Sequence, residues 1–196
     1  MNRIPAVLSI CLFIVVFATV AVGQEDVMCF CVDDESESTC GGNIDLAAFS
    51  QQMIYLCIMN LSQSQVGVWE ASIEVEGAEN MSGTWQILGE GAINLGESET
   101  DFIVGIGLNP LQPNDANVVP LVTLSLLVFN EDPIRFFINP YPGSPTFYDT
   151  PGYASAPGMA HPCQTCGGED LPSFAINWAI EDEARAWGDV KSLYGD

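Results

Sequence analysis

The chain carries a single histidine, His161, set between Ala160 and Pro162. A serine or cysteine nucleophile needs a base that titrates near neutrality, and one histidine in a proline-rich stretch assembles no triad. A glycosidase needs two carboxylates, but with 26 acidic residues some pair always exists, so a pair discriminates nothing. The sequence contains no glycine-rich phosphate loop and no His-Glu-x-x-His zinc motif. The chain therefore reads as noncatalytic, with a secreted hydrolase acting through carboxylates as the remote alternative.

Two acidic clusters suit a hard cation, which takes several oxygen ligands from loops. They are Asp33, Asp34 and Glu35, and Asn130, Glu131 and Asp132. Neither has the spaced Asp-x-Asp-x-Asp pattern, and a solvated turn is the simpler account of each. The expectation is that no cofactor is required and that calcium is the cation to test. Six cysteines lie beyond Cys11, namely Cys29, Cys31, Cys40, Cys57, Cys163 and Cys166. An even number in an oxidising compartment predicts three disulfides, and the sequence leaves their connectivity open. Reduced, the Cys-x-Cys and Cys-x-x-Cys spacings would suit zinc. A redox role for Cys163 and Cys166 is disfavoured because Pro162, Gly167 and Gly168 place them in a loop, away from any helix start that would stabilise a thiolate.

The elements that must position these residues read as strands. Residues 53–59 are apolar on both faces, as in the middle of a packed sheet. Residues 66–75 alternate, with Trp69, Ala71, Ile73 and Val75 opposite Glu70, Ser72 and Glu74. Strands 84–88 and 92–95 flank Gly89-Glu90-Gly91, which predicts a hairpin. Phe102, Val104 and Ile106 share a face, as do Val122, Leu124, Leu126 and Val128. Residues 134–138 return as a strand after the turn at 130–133. Seven of the 12 prolines fall in 139–172, which excludes regular sheet through most of that segment. One more strand, 174–180, closes the sheet. No helix-period segment precedes residue 181, so the fold expected is all-β: a two-layer antiparallel β-sandwich with a long Pro-rich loop. In the tail, 181–196, Ala184, Trp187, Val190 and Leu193 recur at helical spacing and predict a short amphipathic helix.

Residues 1–24 have the order of a signal peptide: Arg3, then an apolar stretch, then Ala21-Val22-Gly23 before Glu25 and Asp26. Secretion to the exterior or cell surface follows, with membrane contact only through this leader. The expected layout is a Cys- and acid-rich, irregular lead-in at 25–43, one sandwich domain at 44–180 and the tail. Of the four cations, Arg3 leaves with the leader, so three cations against 26 acids give a side-chain charge of −23. Such a surface repels nucleic acid. Asn60-Leu61-Ser62 and Asn80-Met81-Ser82 are sequons that matter in a eukaryotic secretory route.

Partner contact is expected from aromatic residues that proline holds in place, Tyr141, Tyr148 and Tyr153, and from Trp187 and Leu193 in the tail, unless these pack on the sandwich itself. The pattern at 54–61, followed by Val66-Gly67-Val68-Trp69-Glu70 and later by the strands at 119–129 and 134–138, resembles cohesin-like sandwich domains, and other immunoglobulin-like sandwiches nearly as well. The ending Trp187-Gly188-Asp189-Val190-Lys191-Ser192-Leu193-Tyr194 is similar to tails of uncharacterised secreted proteins of environmental bacteria. The cohesin resemblance implies noncatalytic binding to an extracellular protein on another chain. The reading is thus a secreted binding or structural module contacting protein or glycan. A self-assembling surface or appendage subunit, joined through strand edges, is the alternative.

Overall fold

The computed structural model of the chain describes residues 25–34, 40–107, 109–144, 146–157, 159–167 and 171–178. The leader expected at 1–24, Glu35 and the tail with Trp187 and Leu193 lie outside the described residues. Among the described residues the architecture is a two-sheet sandwich of thirteen strands with one 3₁₀ turn, Ala78–Asn80. Those strands are β1 Val27–Cys31, β2 Asn43–Ile44, β3 Gln51–Met59, β4 Val68–Glu76, β5 Met81–Ile87, β6 Ala92–Asn94, β7 Asp101–Ile106, β8 Val118–Val128, β9 Ile134–Asn139, β10 Gly152–Ala156, β11 Met159–Pro162, β12 Gln164–Thr165 and β13 Phe174–Ile176.

One sheet runs β12-β1-β3-β8-β5. The other runs β11-β10-β4-β9-β13-β2, with β7 on the free side of β4 and β6 beside β7. All pairings are antiparallel except the short β1–β12 and β13–β2 contacts. Strand β3 is central, between β1 and β8, and its outer face is buried only at its far end, where Cys57 and Met59 join a second apolar cluster. Pro120 is tolerated in the interior strand β8 because the register with β3 shifts there: Leu56 faces Val122, Cys57 faces Pro120, and Leu121 is the extra residue. The inter-sheet core joins Ile54, Leu56 and Ile58 to Trp69, Ala71 and Ile73 across the layers. An aromatic series runs through it: Phe30 lies 5.3 Å from Phe136, which lies 6.2 Å from Phe174, and Trp69 lies 5.2 Å from Phe102.

Several elements differ from expectation. The lead-in is not irregular, since β1 is buried and pairs with β3 over five residues. Its Cys- and acid-rich composition hides a strand whose Met28 and Phe30 enter the core. Segments 84–88 and 92–95 are not a hairpin. Strand β5 belongs to one sheet and β6 to the other, because Gly89 and Gly91 take positive φ (109° and 70°) and carry the chain between layers. The Pro-rich segment contains β10, β11 and β12, with Pro151 just ahead of β10 and Pro162 at the end of an edge strand. The last strand is short, since Asn177 takes positive φ (54°) and uses its side-chain amide to bond both backbone groups of Leu46.

Candidate functional site

Alternation decides which side chains each sheet shows to solvent. On the β3-β8-β5 sheet, Ile54, Leu56 and Ile58 of β3 enter the core, and Gln51, Met53 and Tyr55 point outward. The register sets Gln51 opposite Leu127, Met53 opposite Ser125 and Tyr55 opposite Thr123. It then sets Ser82, Thr84 and Gln86 opposite Leu127, Ser125 and Thr123. Three rows of three residues thus form an open face without a single charged side chain, on a chain with 26 acidic residues. A shallow groove of about 470 Å³ crosses it, lined by Gln51, Met53, Ser82, Thr84, Ser125 and Leu127 among others.

Toward β1 the same face is covered. Cys29, Cys31, Cys57, Met59 and Val118 form a second, smaller apolar cluster outside the sheet. Disulfides Cys29–Cys166 and Cys31–Cys40 staple the covering segments to it. Three bridges were expected from six cysteines, but Cys57 and Cys163 are buried thiols. Cys57 belongs to the outer cluster and Cys163 to the inter-sheet core, so the sheet separates them. Burial pushes both thiols well above the ordinary value, and the negative charge of Asp34 and Asp33 adds to the effect on Cys57 and that of Asp26 to the effect on Cys163. Burial, Asp34, Cys57 and Asp33 likewise raise the phenol of Tyr55, whose pairing with Cys31 sets it beside the end of β1 that leads into Asp33 and Asp34.

The outer face of the other sheet is acidic. Glu70, Glu74 and Glu76 alternate along β4, with Glu76 paired to Arg135 and Asp101 accepting from Ser72 Oγ at 2.7 Å. Glu70 is only 7% exposed, and its Oε1 has no hydrogen-bond partner. Tyr141 sits nearby, its phenol raised by desolvation and then by Glu97, Asp101 and Glu70.

The expected partner-binding tyrosines are divided. Tyr148 is exposed and Tyr141 half-buried, but Tyr153 is fully buried, a correction to its reading as a docking residue. Its register opposite Trp69 draws it inward, and its hydroxyl donates to Asp26 Oδ2 at 3.2 Å. Asp26 also accepts from the Ser62 amide at 2.6 Å and from Ser62 Oγ at 2.8 Å. His161 stacks on Tyr153 with ring centroids 5.0 Å apart. Asn130 is a turn residue, its Oδ1 accepting from the Asp132 amide and its amide donating to Asn80. Among the described residues no three His, Cys, Asp or Glu side chains are grouped to hold a metal ion. The uncharged face was not singled out from the sequence. Its signal was the polar, uncharged alternate positions 82, 84 and 86 and 123 and 125, which become one surface only once β3, β8 and β5 are adjacent.

No family model and no curated protein matches the chain. Among solved structures it is similar to the sixth cohesin of scaffoldin B from Acetivibrio cellulolyticus, solved in complex with a Cel5 dockerin, at 8% identity and TM-score 0.48, over 79% of this chain and 99% of that one. A cohesin module of a family 33 glycoside hydrolase from Clostridium perfringens is similar at 14% identity and TM-score 0.46, over 72% and 91%. The type II cohesin of the Acetivibrio cellulolyticus cellulosome is similar at 10% identity and TM-score 0.44, over 78% and 94%.

Proposed function

We propose that the chain is a secreted, noncatalytic binding module that docks another protein on the outer face of β3, β8 and β5. One observation carries this reading: the only broad sheet face not given over to carboxylates or covered by disulfide-stapled loops, among the described residues, is flat, uncharged and open. Desolvating hydroxyls, amides and a thioether costs far less than desolvating carboxylates, so this is where a large surface can be covered cheaply. A glycan partner would want aromatic platforms, and the face offers Tyr55 alone. Asp33 and Asp34 at its end, and the −22 charge of the chain, favour a partner with a basic rim.

Calcium is not needed for this reading and stays a separate proposal for Asp33, Asp34 and Glu35 and for Asn130, Glu131 and Asp132. The test is a capture experiment with the secreted protein as bait. Ser125→Arg, in the middle row, should abolish capture of the bands retained by wild type, whereas Tyr148→Ala should leave them. Loss with Tyr148→Ala and retention with Ser125→Arg would place the contact on the Pro-rich loop.

A further inference from the structure

Sheet edges are the points where a sandwich is open to pairing, and most edges here are blunted. Strands β12 and β2 have two residues each, β6 has three, and β11 has four and ends in Pro162. Strand β5 differs. It is seven residues long, pairs without register shift on one side only among the described residues, and contains neither charge nor proline. It lacks the devices by which natural edges avoid pairing.

The free backbone groups can be assigned. Asn80 O accepts from Phe129 N and Leu88 N donates to Leu121 O, so even-numbered residues bond to β8. Gly83, Trp85 and Ile87 therefore turn their N–H and C=O groups outward; Met81 offers its C=O, its N–H being used by Ala78 O. Beside this edge the sandwich is open: a cleft of about 340 Å³ lies between the sheets, lined by Gly83, Trp85, Ile87, Asn94, Glu99 and Phe102.

We infer that β5 pairs antiparallel with β5 of a second copy of this chain, on a two-fold axis at Thr84. The strand is self-complementary about that residue. Met81 meets Ile87, Ser82 meets Gln86, and Trp85 lies opposite Gly83, apolar against apolar, polar against polar and large against small. Each copy donates from Gly83, Trp85 and Ile87 to Trp85, Gly83 and Met81 of the other. Gly83 has no room for a larger side chain of its own, since a Cβ there would lie 2.7 Å from Leu124 Cδ1. Two strongly acidic chains repel, and this edge lets them meet without opposing carboxylates. Glu99 in the cleft makes added salt strengthen the pair. The resulting sheet also makes the uncharged faces of two copies continuous, but pairing does not depend on that face binding anything.

The test is sedimentation velocity of the purified protein over a concentration series. A dimer is expected, with Thr84→Glu and Thr84→Lys each weakening it at least tenfold by placing like charges on the axis, and with an equal mixture of the two variants restoring it. Thr84 is exposed, and thermal melts of the variants report whether the fold is kept. Should either variant fold poorly, hydrogen exchange on the wild-type protein decides: the Gly83, Trp85 and Ile87 amides should gain protection with concentration. A monomer at every concentration, a dimer indifferent to Thr84, or a mixture that does not restore association overturns the inference.

Discussion

Gly152→Ala is the sharpest probe of how the Pro-rich segment is held. Gly152 lies in β10 opposite Glu70, and the ring of Phe147 rests where its side chain would be. A Cβ there would sit 2.5 Å from Phe147 Cδ1 and 2.7 Å from Cζ, so the ring must leave. Phe147 is 8% exposed, and Ser144 Oγ fixes its loop by accepting from the Thr146 and Phe147 amides. Overpacking of this kind costs about 1–3 kcal/mol, and complete loss of the ring's burial costs about 1.5–3 kcal/mol. The two are the same event, so the expected loss is about 2–3 kcal/mol and not their sum. In a Phe147→Ala background the added methyl meets open space, and the substitution should cost less than about 0.5 kcal/mol. The coupling in a double-mutant cycle is then about 2 kcal/mol, read from urea unfolding of the four proteins by tryptophan fluorescence. Additive losses within about 0.5 kcal/mol would refute the packing of Phe147 on β10, and with it the view that this segment is a built part of the sandwich and not a free docking loop.

Glu70→Met should raise stability by roughly 1 kcal/mol or more, because it removes a buried side-chain oxygen, Oε1, that has no hydrogen-bond partner; a lower melting temperature would show that this oxygen is paired. Asp26→Ala should cost about 2–4 kcal/mol, since the Ser62 amide and the buried Tyr153 hydroxyl lose a charged acceptor, and chemical denaturation measures it. Cys57, Cys163 and Tyr153 keep their protons more tightly folded than unfolded. Above their ordinary values, 9.0 for the thiols and 10.0 for the phenol, the unfolded chain sheds protons that the folded chain retains. Stability should therefore fall from about pH 9 upward by up to about 1.4 kcal/mol per pH unit for each group. Cys163→Val should make that fall shallower in alkaline urea titrations, and an unchanged slope would contradict the assignment.

Much of the fold was legible because alternation is a local property. Strands β3, β4, β7, β8 and β9 follow from residues such as Trp69, Ala71 and Ile73 or Val122, Leu124 and Leu126, whose two-residue period needs no knowledge of neighbours. What escaped was non-local. Strand β1 is short and rich in cysteine and acid, and only pairing with β3 makes it a strand. The glycines at 89 and 91 fit a hairpin turn as well as a crossover, and the choice between them is made by β8 and β7 competing as partners. The cysteine count predicted oxidation but could not place Cys57 and Cys163 on opposite sides of a sheet. The same holds for the site. Of the tyrosines offered for docking, Tyr148 is exposed and Tyr153 is buried, a split that residue type alone does not give, and the uncharged face depends on three strands far apart in sequence.

The central claim, a protein docked on the outer face of β3, β8 and β5, is tested most directly by hydroxyl-radical footprinting of the free and partner-bound protein. Met53, exposed on that face, should become protected on binding together with Tyr55, while Met159 and Tyr148, exposed on the other sheet's edge and the Pro-rich loop, keep their reactivity. Protection of Tyr148 and Met159 with Met53 still oxidised would contradict the account.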